Sequence, residues 1–359
     1  MRLCRLWLAD FRSYPEAEIT FGEGLTAIVG ANGNGKTNVL EAIAFLATTR
    51  SFRGSPNDAM IRVGAKSAVV RAEITDDDRD VLIEAEIPPT GRARVQVNKQ
   101  RLTRTRDLLG VFDVTVFSPD DLEIVKGGPA GRREYLDRLL VSVHPKNEQA
   151  VSDFERVLRQ RNALLRQMAG RRGSDDELTL EVWDTRLVET GERLALLRAK
   201  VVEQLFPLVT SCYEEVAERG SDITMVYEAP WRAAGLGDAL SRNRGDDIRR
   251  GVSLVGPHRD ELAVSIEKMP SRTHSSQGEQ RSLTLAMRLA AHRLVMQARG
   301  HAPVLLLDDV FSELDHARSR ALLASLPAGQ GILTSATELP AGATPELLYE
   351  LSGGRLTVG

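Results

Sequence analysis

Gly30-Ala31-Asn32-Gly33-Asn34-Gly35-Lys36-Thr37 is the stretch on which the reading of this chain turns. It fits G-x-x-x-x-G-K-[ST], with the apolar run Leu25-Thr26-Ala27-Ile28-Val29 before it and a helical stretch, expected from Lys36 to Ala47, after it. Glycines let a backbone curl around phosphate, while N–H groups at a helix start supply donors and a dipole that favours negative charge. In such a loop Lys36 reaches the β- and γ-phosphates and the Thr37 hydroxyl binds a magnesium ion. The expected ligands are therefore ATP and Mg²⁺, cradled from Gly30 through Asn38.

A second element lies far downstream, where Val304-Leu305-Leu306-Leu307 runs into Asp308-Asp309. Four apolar residues followed by carboxylates describe a buried strand that delivers acid to a metal. Asp308 is the expected metal-side partner, and Asp309 the group that positions or activates an attacking water. Because the two elements stand so far apart, the chain is expected to leave the nucleotide core, build another lobe and return.

Between them the pattern changes character. Glu16-Ala17-Glu18-Ile19-Thr20-Phe21 alternates at period two, and three more strand-like runs begin near Ala68, Val81 and Ala93, which predicts an antiparallel sheet near the nucleotide. Beyond Pro119 apolar residues recur at helical spacing, through Val151, Phe154, Leu158, Leu165 and Met168, then through Leu180, Trp183, Leu187, Leu194, Leu197, Val201 and Leu205. The breaker-rich segment from Gly170 to Glu177 parts these runs, so two antiparallel helices of about 35 Å each are expected. Strands are expected again near Ile223 and Glu261, then a helix from about Gly278 to Arg299, a helix near Arg318, a strand at Gly331 and a closing hairpin. The division that follows is a first lobe at 1–117 and 300–359 and a second at 118–299.

Composition excludes several classes. Apolar residues make up 42% and charged residues 27% of the 359, which is ordinary for a globular protein rather than a disordered one. No apolar run approaches the roughly 20 residues of a membrane span. The opening residues do not read as a secretory signal, and a cytoplasmic location is expected. Cys4 and Cys212 stand alone, as reduced thiols would. With a net charge of −3, any nucleic-acid contact must be local.

Further motifs carry a resemblance. Ser275-Ser276-Gln277-Gly278-Glu279-Gln280 precedes the acidic strand, and Ser312-Glu313-Leu314-Asp315 follows it. This order resembles the ATP-binding cassette ATPases, with a signature motif and a D-loop in those places. Within that class the chain is similar to the RecF recombination-repair family nearly end to end. The matching stretches are LADFRSY, the phosphate loop, RSFR at 50–53, PDDLEIVKGGPAGRREYLD at 119–137, GPHRDEL at 256–262, SSQGEQRS and LLLDDVFSELD.

The resemblance implies an α/β ATPase head of the ABC/SMC type, a mixed sheet plus an antiparallel sheet, with a helical second lobe bearing a short arm. It implies ATP-dependent dimerisation in which Ser276 and Gly278 of one subunit close on the γ-phosphate held by the other, with Lys36 and Asp309 completing the catalytic set. It further implies a DNA replication and repair protein of the damage response that binds single- and double-stranded DNA at gaps. Such a protein helps load RecA recombinase with RecO and RecR, and involves no membrane. Asp309 stands where transporters of the class carry glutamate, so hydrolysis is expected to be slow. Thr334, Ser335, Ala336 and Thr337 stand where those transporters place a switch histidine. The runner-up reading, a transporter's nucleotide-binding subunit, lacks that histidine. A purely structural SMC-like role would need far longer arms.

Two basic blocks are candidates for DNA. Arg92, Arg94, Lys99, Arg101, Arg104 and Arg106 form the first; Arg156, Arg159, Arg161 and Arg166, with Arg171 and Arg172, form the second, and neither block contains an acid. Each is either a phosphate-binding surface or a solvated face. Neither has an aromatic residue, which favours backbone contact over base recognition. His258 and Arg259 either meet an interface or cap a strand, and Arg132 and Arg133 lean towards function.

Overall fold

The computed structural model describes residues 1–76, 79–170, 173, 175–336 and 338–358. It divides into two compact units: Met1–Leu122 with Ser211–Gly220 and Arg281–Gly359, and Glu123–Thr210 with Ser221–Gln280. The first unit thus takes in more than the expected lobe. The helix Gln277–Arg299 is the reason. From Leu283 onward it buries Leu283, Ala286, Met287, Leu289 and Ala290, while Arg293 pairs with Glu215 at 2.6 Å and Arg299 with Asp113 at 3.0 Å.

In the first unit a mixed sheet runs in the spatial order Arg355–Val358, Leu347–Ser352, Leu25–Val29, Gly331–Ser335, Val304–Asp308, Val114–Phe117. All neighbours are parallel except the final hairpin. Parallel strands covered on both faces need continuous apolar runs, and every residue of Gly331–Ser335 and Val304–Asp308 is buried. The second sheet is antiparallel, ordered Tyr14–Thr20, Arg2–Phe11, Ala68–Asp76, Arg79–Ile87, Arg94–Val97, Gln100–Arg101. The helix Lys36–Thr48 touches both sheets, and its Val39, Leu40, Ile43, Phe45 and Leu46 share one core with Leu3, Leu6, Val70, Ile83, Leu306 and Ile332.

The second unit carries the arm. Helices Glu148–Gly170 and Asp176–Ala217, the second ending in the first unit's Ser211–Gly220, run antiparallel, with Leu165, Met168 and Leu180 in one cluster and Arg161 bonded to Asp184. The first matches the expected length. The second has 42 residues, about 63 Å at 1.5 Å per residue. It continues through Pro207, which lacks the N–H a helix uses, because Val209, Cys212, Tyr213 and Val216 extend its buried stripe. Strands Met269–Pro270, Glu261–Ile266 and Ile223–Glu228 make a small antiparallel sheet in that unit. Among the described residues, no helix is long and apolar enough to cross a membrane. Cys212 is buried and Cys4 half-buried, both as free thiols.

One buried histidine makes the first unit acid-sensitive. His292 is 1% exposed beside the Thr115 hydroxyl at 3.1 Å, and burial, with Arg293 nearby, pushes its pKa down from 6.5 to about 4. The unfolded chain therefore takes up a proton first, and stability is lost as the pH falls from 6.5 towards 4. The steepest loss one such group can cause is about 1.4 kcal/mol for each step of one in pH. Thermal melts across that window should show a shallower acid decline for His292→Gln than for the parent chain. An identical decline would mean that this histidine does not titrate as described.

Candidate functional site

The carboxyl ends of Leu25–Val29, Gly331–Ser335 and Val304–Asp308 lie side by side, so the phosphate loop, Thr334 and Asp308 converge where parallel sheets bind ligands. Thr37 Oγ donates to Asp308 Oδ1 at 2.8 Å, and Thr334 Oγ donates to the same oxygen at 2.8 Å. The two distant sequence elements therefore meet in space.

The loop's shape follows from its glycines. A Cβ at Gly30 would fall 2.3 Å from the Leu351 carbonyl oxygen; Gly35 has a φ of 105°, and a Cβ there would fall 2.7 Å from Ser13 Oγ. Side chains brace the same loop: Asn34 Nδ2 donates to the Leu351 carbonyl at 3.1 Å, Tyr14 OH to the Gly35 carbonyl at 3.1 Å, and Asn38 Nδ2 to Ser13 Oγ at 3.0 Å. Asn32 and Gly33 stand at the loop's exposed crest, where nothing lies within 4 Å of a Cβ built on Gly33.

Lys36 is only 6% exposed, and its ammonium donates to the Gly30 and Ala31 carbonyls at 2.6 and 3.1 Å. Burial lowers its pKa, and the nearby Asp309 and Asp308 carboxylates oppose that shift. Asp308 is 6% exposed, and burial raises its pKa against the hydroxyl bonds from Thr37 and Thr334. Asp309 occupies a left-handed backbone position at φ 48°, rare for a non-glycine residue, and its Oδ1 accepts from Ala336 N–H at 3.3 Å.

A hydroxyl and a carboxylate oxygen are hard ligands of the kind Mg²⁺ takes, and two protein ligands suffice where phosphate and water supply the rest. No cluster of three or more His, Cys, Asp or Glu with metal-holding geometry occurs among the described residues. Thr37 and Asp308 thus fit a nucleotide-borne magnesium, with Lys36 available to phosphate.

Three supports escaped the sequence reading. Arg12 grips the fully buried Glu41 of the phosphate-loop helix through two bonds of 2.7 Å, and Ser51 Oγ adds another at 2.5 Å. The bond from Thr334 to Asp308 is the second, and the brace of Ser13 and Tyr14 the third. Arg12, Ser13 and Tyr14 lie in LADFRSY and Ser51 in RSFR, so the signal was present without a role. Thr337 lies outside the described residues.

The other predicted residues fall as follows. Ser276 and Gly278 belong to the second unit, at the start of the helix Gln277–Arg299. Asp315 caps the helix His316–Ser325, and Arg281 Nη1 donates to the Glu313 carbonyl at 2.9 Å, tying the segment after the acidic strand to the first unit's part of that helix. In the first basic block Arg92, Arg94, Lys99, Arg101, Arg104 and Arg106 are all exposed, around the hairpin at the free edge of the antiparallel sheet.

The second block does not hold together as a surface. Arg161 is completely buried, bonded to Asp184 and Asp247 at 2.7 Å each and to Ser253 at 2.8 Å, so it is removed from the DNA candidates. Arg156, Arg159 and Arg166 are exposed, the first two beside Asp153 and Glu155, and Arg171 and Arg172 lie outside the described residues. Arg132 is likewise a core residue, bonded twice to Glu261 at 2.7 Å. Arg133 donates to the Asp260 carbonyl at 2.8 Å. His258 bonds the Ser253 carbonyl at 2.9 Å and Asp260 accepts from Tyr227 and Trp231, so GPHRDEL opens the strand Glu261–Ile266.

Comparison with known proteins identifies the family. The model described as the RecF/RecN/SMC N terminal domain matches residues 2–334. A DNA replication and repair protein RecF of Streptomyces avermitilis is 41% identical over 349 residues, covering 94% of this chain and 93% of that protein. Its counterpart in Frankia alni is 42% identical over 378 residues, covering 100% and 98%. Among solved structures, the recombination mediator protein RecF-ATP in the RecFOR pathway aligns with a TM-score of 0.91 at 29% identity, over 99% of this chain and 97% of that one. The Smc head domain of Pyrococcus furiosus aligns with a TM-score of 0.59 at 20% identity, over 100% and 96%, and shares the fold. With the model and full-length relatives in agreement, the chain belongs to the RecF family.

Proposed function

We propose that this chain is an ATP-driven switch on DNA, which dimerises on ATP at gapped DNA and assists RecA loading together with RecR and RecO. The observation that carries it is the meeting of Thr37 and Asp308 at 2.8 Å beside a buried lysine. In this reading Gly30 through Asn38 cradle the phosphates, Lys36 contacts the β- and γ-phosphates, and Thr37 and Asp308 hold Mg²⁺. The ion screens phosphate charge and fixes the triphosphate's geometry. Asp309, pinned by Ala336 N–H, orients the attacking water. Ser276 and Gly278 meet the γ-phosphate bound to a second copy, so turnover separates the two. Aspartate in place of glutamate reaches one methylene less far, which suits slow hydrolysis.

The exposed hairpin block gives the better DNA surface of the two, since phosphate neutralisation requires accessible cations. Sedimentation with and without ATP and Mg²⁺, beside a DNA retention assay, tests the whole reading. A size indifferent to nucleotide together with no retained DNA would refute it.

Lys36→Arg should retain weakened nucleotide binding yet lose turnover, because a flat guanidinium cannot replace a compact ammonium between phosphates. Normal hydrolysis in that variant would remove Lys36 from the site. Replacing Arg92, Lys99 and Arg101 together by Gln should weaken DNA binding and flatten its log–log salt dependence by about 2 to 3, as three lost phosphate contacts require. An unchanged slope would acquit the hairpin. Arg161→Gln should instead lower the melting temperature, since it strands Asp247 in the interior at a cost of about 3–5 kcal/mol.

A further inference from the structure

Both Ser276 donors at the start of the helix Gln277–Arg299 are already engaged. Ser276 donates both its backbone N–H and its hydroxyl to one atom, Glu279 Oε2, at 2.8 and 2.9 Å, and Glu279 N–H returns a bond to Ser276 Oγ at 3.3 Å. This is a reciprocal capping box, which elsewhere serves to satisfy the orphan donors of a helix start. Behind it the segment is anchored: Gln280 is buried, and its Nε2 donates to the Ser271 and Arg272 carbonyls at 3.0 and 3.1 Å. Ser276 itself is exposed, so an incoming anion can reach the groups that Glu279 holds.

A carboxylate and a phosphate are both anionic acceptors, and each strengthens the bond it receives. One N–H and one O–H cannot serve both at full strength. Glu279 and the triphosphate of a second copy therefore compete for the same two protons.

We propose that Glu279 is a positioning residue that acts as an intramolecular competitor of ATP: it holds Ser276 against closure and sets the ATP concentration at which two copies join. This rests on the assignment of Ser276 to the partner's γ-phosphate. The γ-phosphate presents more charge and more oxygens than a carboxylate, so it wins at sufficient ATP. The displaced Glu279 then stands near a like charge without the two Ser276 donors. Loss of the γ-phosphate lets Glu279 close again on Ser276, which speeds separation of the pair. The capping box is thus a return spring on the closed state.

Glu279→Gln tests this, because it keeps the size and the accepting oxygen while removing the charge. In sedimentation with Mg²⁺ and graded ATP, half-maximal dimerisation should occur at about three- to tenfold lower ATP than for the parent chain. ATP binding by the dilute monomer should not change. A midpoint equal to or above that of the parent overturns the competition and leaves Glu279 a helix cap, which would register only as a changed melting temperature. Ser276→Ala, measured in parallel, separates this from the reading beneath it. If that variant dimerises on ATP like the parent, the assignment of Ser276 fails whatever Glu279→Gln does.

Discussion

The bond between Thr37 and Asp308 is the constraint on which the first unit is organised. It joins the helix after the first parallel strand to the end of another that lies 271 positions later. The strand between them, Gly331–Ser335, makes the distance workable: it pairs with both neighbours, and its Thr334 hydroxyl reaches the same Asp308 oxygen. Three strand ends are thereby fixed at one edge of one sheet, and the phosphate loop cannot shift relative to the carboxylate without breaking the sheet's register.

The interior of the molecule favours precision over stability. Buried ion pairs gain little over apolar packing, because desolvation offsets their attraction, yet losing one partner is strongly destabilising. Arg12 with Glu41, Arg132 with Glu261, Arg161 with Asp247 and Arg198 with Asp137 are all of this kind, each with at least one partner almost wholly buried. Each joins stretches of chain that are distant in sequence. Such pairs have one satisfactory geometry, whereas apolar contacts tolerate sliding. In the first unit, Arg12 and Glu41 hold the helix Lys36–Thr48 in this way.

Much of this was legible in the sequence because the informative residues are local in pattern. The phosphate loop, the apolar run into Asp308-Asp309 and the closing hairpin each announce themselves within about ten residues. What stayed hidden depends on partners far away in the chain. Arg161 lies in an acid-free basic run and reads as surface, but its acids, Asp184 and Asp247, arrive from other helices and draw it into the core. A proline such as Pro207 ordinarily ends a helix, and only the buried stripe beyond it, through Val216, shows why the second arm helix goes on. The lobe boundary moved for the same reason: the contacts that assign Arg281 to Arg299 to the first unit are made with Asp113 and Glu215.

The order of strands in the mixed sheet has a consequence for synthesis. Leu25–Val29 is flanked by Gly331–Ser335 and Leu347–Ser352, both near the carboxyl terminus. A ribosome adding about 5–20 residues per second leaves that apolar strand without its two neighbours for roughly 15 to 60 seconds. Throughout that interval its unpaired edges are open to other strands. Those edges close only when Gly331–Ser335 and Leu347–Ser352 have been made.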